Sequence, residues 1–262
     1  MQDMLDRGAA RKVSQEEISK YGGAQFYIAH HAVFKPESKS TPCRIVFNSS
    51  AKYAGLSLND CLAKGPSLLN MLLGILLRFR QGKVAFVGDI SKMFHSIEIP
   101  VEDQMTHLFL WRGLDTKKEP ETYAITAVNM GDRPSATIAQ IALRKTAEAA
   151  KEDFPEAAEI ILQNSYMDDI PGSADSHEKA KQYMGEIEAI LGKRSFRIKE
   201  WIFPGYVRLS GNHIDQKQVQ ILMGMPDDDN EITEGILGMK WDIEKDILRF
   251  NVNEDRRDMR RN

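Results

Sequence analysis

The alternation of apolar and polar positions divides the chain into short blocks of changing period. Ser14-Gln-Glu-Glu17 has capping-box spacing, which predicts a short helix to about Tyr21, stopped by Gly22-Gly23. Phe26 to Phe34 is rich in aromatic and β-branched residues and predicts a strand; Cys43 to Phe47 predicts a second. The loop from Lys35 to Pro42 would join them as a hairpin, with Lys35 and Lys39 at its tip and Arg44 nearby. Asn48 to Gly65 is a polar, turn-rich connection. Ser67 to Arg80 has helical length and apolar content, with Gln81-Gly82 as its stop. Lys83 to Ile90 is a nearly continuous apolar run, the pattern of a strand covered on both faces. After Lys83 its one charge, Asp89, arrives at the end.

Val101 to Trp111 fits helix and strand equally, and Glu121 to Val128 reads as a strand broken by Gly131-Asp-Arg-Pro134. Ser135, or the residues just before it, caps a helix to about Ala150 with Ala136, Ala139 and Ala142-Leu143 on one face. Pro155 opens a shorter helix. Ile160 to Met167, Asp168-Asp169 and Ile170 then predict a hairpin with carboxylates at its turn. An amphipathic helix from Ser176 to Leu191 ends at Gly192. Strands are expected at Phe196 to Phe203 and Tyr206 to Ser210, and Gly235 to Trp241 with Ile247 to Phe250 forms a last hairpin. The charged tail from Asn253 is expected to fray. This order predicts an α+β sheet with helices packed on one face.

Composition narrows the class. With 42% hydrophobic and 28% charged residues, the 262-residue chain resembles a soluble globular protein. A net charge of −3 and a pI near 6.1 give no global basic signature, so a nucleic-acid partner would need a basic cleft in a neutral protein. Cys43 and Cys61 lack metal-ligand spacing and fit a reduced intracellular compartment. Leu68 to Leu77 contains Asn70 and is too short to span a bilayer, and the N-terminus lacks the apolar core of a signal peptide. His30 and His31 are adjacent on a strand and point to opposite faces, so they cannot share one ion. Asp227-Asp-Asp229, between Pro226 and Asn230, reads as a solvated turn.

Two stretches carry the candidate chemistry: Val84-Ala-Phe-Val-Gly-Asp89-Ile-Ser-Lys-Met-Phe94 and Tyr166-Met-Asp168-Asp169. A lone Asp after a strand is ordinarily a turn or cap. Two adjacent carboxylates at the end of an apolar run are more specific, because they repel each other and call for a cation. Asp89 with these two carboxylates suits two hard divalent ions about 3.5–4 Å apart, the arrangement used for phosphoryl transfer.

Tyr166-Met167-Asp168-Asp169 resembles the signature turn of reverse transcriptases, and Phe86 to Phe94 resembles their first catalytic motif. The finer pattern is similar to the BEL/Pao class of long-terminal-repeat retrotransposons. It comprises His30-His31-Ala-Val-Phe-Lys35-Pro, Arg44-Ile-Val-Phe-Asn-Ser-Ser-Ala51, Leu56-Ser-Leu-Asn-Asp-Cys-Leu62 with Gly65-Pro66, and Arg78-Phe-Arg80. Gly131-Asp-Arg-Pro-Ser135 and Gly235-Ile-Leu-Gly-Met-Lys-Trp241 complete it, in family order over roughly residues 25 to 250.

The resemblance implies roles by position. Asp89, Asp168 and Asp169 would hold two magnesium or manganese ions, with the Ile90 carbonyl as an extra ligand. Phe94 would gate the incoming sugar, excluding a 2′-hydroxyl, while Lys35 and Arg44 would grip the triphosphate. Gly131, beside Met130, would let the backbone approach nucleotide and template-primer. Lys199 would protonate the leaving pyrophosphate, although Lys193, Arg194 and Arg197 compete for that assignment. Gly238, Met239 and Trp241 would lie in the primer grip. Two positions depart from the pattern: Met130 stands where many retroviral enzymes carry Gln, and Pro171 follows the turn where a strand should continue.

The implied fold is α+β: the fingers and palm of a right-hand polymerase, with an antiparallel palm sheet backed by helices. Residues 1–82 and 101–134 would be fingers, 83–100 and 135–250 palm with the primer-grip hairpin, and 251–262 a tail. The chain ends shortly after the primer grip, so the thumb is expected to be missing. The function expected is template-directed DNA synthesis by the reverse-transcriptase core of a retrotransposon pol polyprotein. Its implied partners are an RNA or DNA template-primer, deoxynucleoside triphosphates and other pol segments, with no membrane, in cytoplasm or virus-like particles. The alternative is a truncated or domesticated inactive remnant that binds nucleic acid or protein. An RNA-synthesising enzyme fits less well, because of Phe94.

Overall fold

The computed structural model describes residues 1–34, 36, 42–204, 206–210, 233–243 and 245–250. In chain order the elements are α1 (Gln2–Asp6), β1 (Ala10–Lys12), α2 (Gln15–Lys20), β2 (Ala29–Phe34), β3 (Cys43–Asn48), α3 (Leu58–Cys61), α4 (Leu72–Phe79) and β4 (Val84–Ile90). A 3₁₀ turn at Met93–Ser96 leads to α5 (Val101–Gln104), β5 (Leu108–Trp111), β6 (Glu121–Ile125), α6 (Ser135–Glu148) and α7 (Pro155–Asn164). Then come β7 (Asp169–Ala174), α8 (His177–Gly192), β8 (Ile198–Phe203), β9 (Tyr206–Ser210), β10 (Thr233–Ile236), β11 (Met239–Asp242) and β12 (Ile247–Phe250). They fall into two compact units: Met1–Leu68 with Lys92–Leu143, and Leu69–Ser91 with Arg144–Asn262. Among the described residues no helix is long and apolar enough to cross a membrane.

In the first unit, β1, β6 and β5 form an antiparallel sheet in that order, and β2 and β3 pair as the expected hairpin. Its core gathers Met4, Ala10, Ile28, Phe47, Leu58, Phe109 and Ile125. α2 starts where its cap predicts: the Ser14 hydroxyl accepts from the Glu17 amide at 3.1 Å. The Glu17 carboxylate, however, turns to Arg11 at 2.5 and 3.1 Å instead of closing the box. A reciprocal box occurs at α3, inside the stretch expected to be only a connection. There the Ser57 hydroxyl accepts from the Asp60 amide and Asp60 accepts from the Ser57 amide. His30 lies among Phe47, Phe109 and Trp111, with ring centroids 5.7–5.8 Å away. Burial lowers its pKa, followed by the charge of His31, so it packs as a neutral aromatic ring. The ambiguous stretch from Val101 resolves into both alternatives, a turn of helix at α5 and then strand β5.

The second unit is built on an antiparallel sheet of order β7-β4-β8-β9. Its apolar sequence makes β4 an inner strand: Val84 to Val87 and Ile90 are buried, with β7 on one side and β8 on the other. Two glycines let aromatic rings lie across neighbouring strands. Phe86 stands opposite Gly172, where an added Cβ would come within 2.5 Å of its ring. Trp201 stands opposite Gly88, where a Cβ would come within 2.6 Å. The two rings meet edge to face at 5.8 Å, and the Trp201 indole N–H donates to Glu188 of α8 at 2.8 Å. On the opposite face Ala85 and Val87 pack with Phe79, Ile236, Trp241 and Ile243. Side chains alternate along a strand, so Asp89 emerges on the face of Ala85 and Val87.

Two sequence expectations fail here. Ile160 to Asn164 is not the first arm of a hairpin; it is the last part of α7, which begins at Pro155 and runs for 10 residues. The helix expected from Ser67 starts only at Leu72. Asn70 instead donates to the carbonyls of Leu162 and Ser165 and accepts from Arg144, which holds the chain outside the helix. Pro171 does not end the returning strand: it lies in β7, at the sheet edge, where a missing amide donor is tolerated. The last hairpin is three-stranded, with β11 between β10 and β12. The Asp227–Asp229 turn and the tail from residue 251 lie outside the described residues.

Candidate active site

The second unit brings Asp89, Asp168 and Asp169 to one end of its sheet. Asp89 on β4 and Asp169 on β7 are direct cross-strand partners. Asp168 occupies a two-residue turn closed by Tyr166 and Asp169, whose amides and carbonyls bond reciprocally at 2.9 and 3.1 Å. Met167, the first loop residue, has a φ of +54°, a left-handed conformation that carries strain in a residue with a Cβ. The turn is tied to β4 by the Ile90 amide, which donates to the Asp168 carbonyl at 2.8 Å.

Asp89 and Asp169 both lie within the field of Asp168. Burial, then the charges of Asp168 and Asp89, push the Asp169 pKa from an ordinary 3.8 up to about 7. Asp89 is also raised, chiefly by burial, with Lys199 opposing and Asp168 and Glu200 adding to the rise. The Lys199 ammonium lies 3.5 Å from Asp89 and 3.1 Å from Glu200. Partial burial would lower its pKa, but Glu200 and Asp89 together hold it above the usual lysine value. Lys199 therefore stays charged at neutral pH.

As the side chains stand, no three His, Cys, Asp or Glu among the described residues converge closely enough to hold an ion. The donor chemistry nonetheless fits hard divalent ions, which take carboxylate oxygens. Burial first, and then mutual repulsion, raises Asp89 and Asp169, and a cation between them would offset both.

Leu237 and Gly238 form the turn between β10 and β11, with φ of +49° and +83°, the paired left-handed geometry of a tight hairpin. Met239 and Trp241 are buried on β11. Trp241 packs edge to face on Phe79 at 5.1 Å and donates its indole N–H to Asp246 at 2.9 Å. Arg80, just beyond α4, pairs with the same Asp246 carboxylate, so this hairpin is clamped to α4. The sequence reading contained no role for Asp246.

The remaining sequence candidates belong to the first unit. Arg44 is exposed on β3 opposite Val33, and Lys35 lies outside the described residues. Phe94 is buried in the 3₁₀ turn that follows Lys92, itself left-handed at φ +47° and paired with Asp3 at 2.5 Å. Met130 is 72% exposed. Gly131 sits so close to β3 that an added Cβ would come within 2.5 Å of the Phe47 carbonyl oxygen.

The fold is mixed α and β with antiparallel sheets, of the reverse-transcriptase type. One solved structure with this fold is the protease-reverse transcriptase of prototype foamy virus, as a CSH mutant. It matches with a TM-score of 0.54 and 18% identity over 75% of this chain and 22% of that one. Another is the foamy viral protease-reverse transcriptase in complex with an RNA/DNA hybrid, with a TM-score of 0.58 and 16% identity over 95% of this chain and 26% of that one. This chain thus spans about a quarter of the length of those proteins, and at such identity the likeness shows the fold alone. No protein-family model and no curated protein matches the chain.

Proposed function

We propose that the chain is the polymerase core of a reverse transcriptase from a BEL/Pao-type retroelement, adding deoxynucleotides to a primer on an RNA or DNA template. The observation that carries this reading is Asp169 facing Asp89 across the strand pair, with Asp168 in the adjoining turn and the carboxyl of Asp169 pushed to about 7. In the reaction the primer 3′-hydroxyl forms a bond to the α-phosphorus and the bond to pyrophosphate breaks. Asp89, Asp168 and Asp169, with the Ile90 carbonyl, would hold two magnesium or manganese ions, whose chemistry is charge stabilisation on the attacking and leaving oxygens.

The chain's own residues orient and charge the rest of the site. Residues 83–100 and 135–250 act as palm, and the buried Met239 and Trp241 support a rigid hairpin for the primer end. In the fingers, residues 1–82 and 101–134, Lys35 and Arg44 grip the triphosphate and Gly131 with Met130 contacts the nucleotide. Phe94 excludes the 2′-hydroxyl. Lys199, charged at neutral pH, holds the proton that the leaving pyrophosphate takes. A nucleic-acid partner is supported by the neighbour that holds an RNA/DNA hybrid.

Primer extension on an RNA template with magnesium tests the reading. The expected result is elongation with deoxynucleotides, exclusion of ribonucleotides, and abolition in a folded Asp168→Asn variant. A wild-type chain that binds template-primer without extending it would instead be a non-catalytic remnant.

A further inference from the structure

We propose that His107 and Asp132 form a positioning pair for nucleotide binding: their buried contact holds the Met130–Gly131 turn against the strand that carries Arg44. The inference rests on the polymerase reading above and adds to it two residues far from the carboxylate turn in sequence.

His107 Nε2 lies 2.9 Å from an Asp132 carboxylate oxygen, and the two side chains are only 8% and 6% exposed. The other ring nitrogen faces the Asp103 carbonyl at 3.2 Å and the Thr106 hydroxyl at 2.9 Å. That hydroxyl donates to the Asp103 carbonyl at 2.7 Å, which leaves its lone pairs to receive from the ring. Both nitrogens thus face acceptors, the environment of a doubly protonated imidazolium. Burial alone would lower the His107 pKa, but Asp132 first, then Asp103, hold it above the ordinary value.

The second Asp132 oxygen accepts from the Ser49 hydroxyl at 2.5 Å and from the Asn129 amide at 2.8 Å. Asn129 also donates to the Ser49 hydroxyl at 2.9 Å, closing a triangle. Ser49 directly follows β3. Asn59 secures the same turn from the other side: its side chain donates to the Gly131 carbonyl at 3.0 Å and accepts from the Arg133 amide at 2.8 Å. Its own amide donates to the Ser49 carbonyl at 2.9 Å. The Met130–Gly131 turn is therefore pinned to the end of β3, three to five residues beyond Arg44.

A buried ion pair gains little stability over apolar residues of the same volume; what it supplies is one fixed geometry. Here the geometry fixed is that of an exposed Met130 and a glycine backbone beside the Arg44 strand. All of these groups belong to the first unit.

The test is the affinity for a complementary deoxynucleoside triphosphate, with magnesium, on an RNA template whose primer ends in a dideoxynucleotide. Template-primer affinity and thermal melting are recorded on the same samples. Asp132→Asn and His107→Gln should weaken nucleotide binding by about tenfold to a hundredfold, the range a small misplacement of a binding group produces, while template-primer affinity, to which the Gly131 turn is one contact among many, falls by less than about threefold. Should either fail to fold, Ser49→Ala, which removes one hydroxyl and leaves the ion pair, should weaken nucleotide binding by about threefold. Equal nucleotide affinity in wild type and folded variants would overturn the pair while leaving the polymerase reading intact. Parallel loss of nucleotide and template-primer binding would show a merely structural role and overturn it as well. A wild type that binds template-primer but no nucleotide overturns the pair and the polymerase reading together.

Discussion

Asp89 and Asp169 stand opposite each other on adjacent antiparallel strands, with the Asp168 charge close enough to raise them both. Carboxylates in that arrangement oppose folding at neutral pH unless a cation lies between them. The cluster therefore costs the folded chain stability at neutral pH, which the proposed metal ions would restore.

The pH dependence of stability follows in sign from Asp169. Its folded pKa, about 7, lies above the ordinary 3.8, so the native state binds more protons between those values. In metal-free buffer, stability should therefore fall as pH rises from about 4 to 7, by roughly 2–4 kcal/mol at about 1.4 kcal/mol per pKa unit. Melting curves at pH 5 and pH 8, with and without magnesium, check this. Magnesium should raise the melting temperature far more at pH 8 than at pH 5.

Trp241 is fully buried, on Phe79, and its indole N–H has Asp246 as partner. Trp241→Ala should cost about 3–5 kcal/mol through lost burial and the cavity left behind. Asp246→Ala should cost about 1–3 kcal/mol, because it strands a buried donor. Urea unfolding of both variants measures the two values, and their order is the discriminating result.

Phe94 is buried in the turn that follows the strand of Asp89. If its ring excludes the 2′-hydroxyl, Phe94→Val should raise ribonucleotide incorporation while deoxynucleotide incorporation stays within about tenfold, as expected when a steric block rather than a binding contact is removed. Single-nucleotide incorporation with matched deoxy- and ribonucleotides reads this out. Unchanged exclusion in an active variant would remove the gate assignment.

Much of the frame was legible in the chain. The unbroken apolar run to Ile90 marked an inner strand with Asp89 near its end, and Ser14, Pro155 and Ser176 marked helix starts that the structure keeps. Ile160 to Leu162 misled because a short β-branched apolar run suits a buried strand and a buried helix equally, and the helix from Pro155 simply continues through it. Asn70 was unreadable for another reason: its partners on Leu162, Ser165 and Arg144 are tertiary, and no local signal announces them. The same holds for His107 and Asp132, 25 residues apart in a chain with many possible charge partners. Lys199 could not be separated from its basic neighbours until the irregular pairing of β4 with β8 placed it at Asp89.

Asp169→Asn separates a metal-holding carboxylate from a merely buried one when it is read simultaneously for stability and for nucleotide incorporation on an RNA template with magnesium. The substitution removes the carboxylate that burial and its two neighbours oppose, and keeps its shape. The expected result is a metal-free protein at least as stable as wild type at pH 8, with incorporation reduced by about a thousandfold or more, as when a principal electrostatic group is lost from an active site. Incorporation within tenfold of wild type by the stable variant would contradict the metal-holding role.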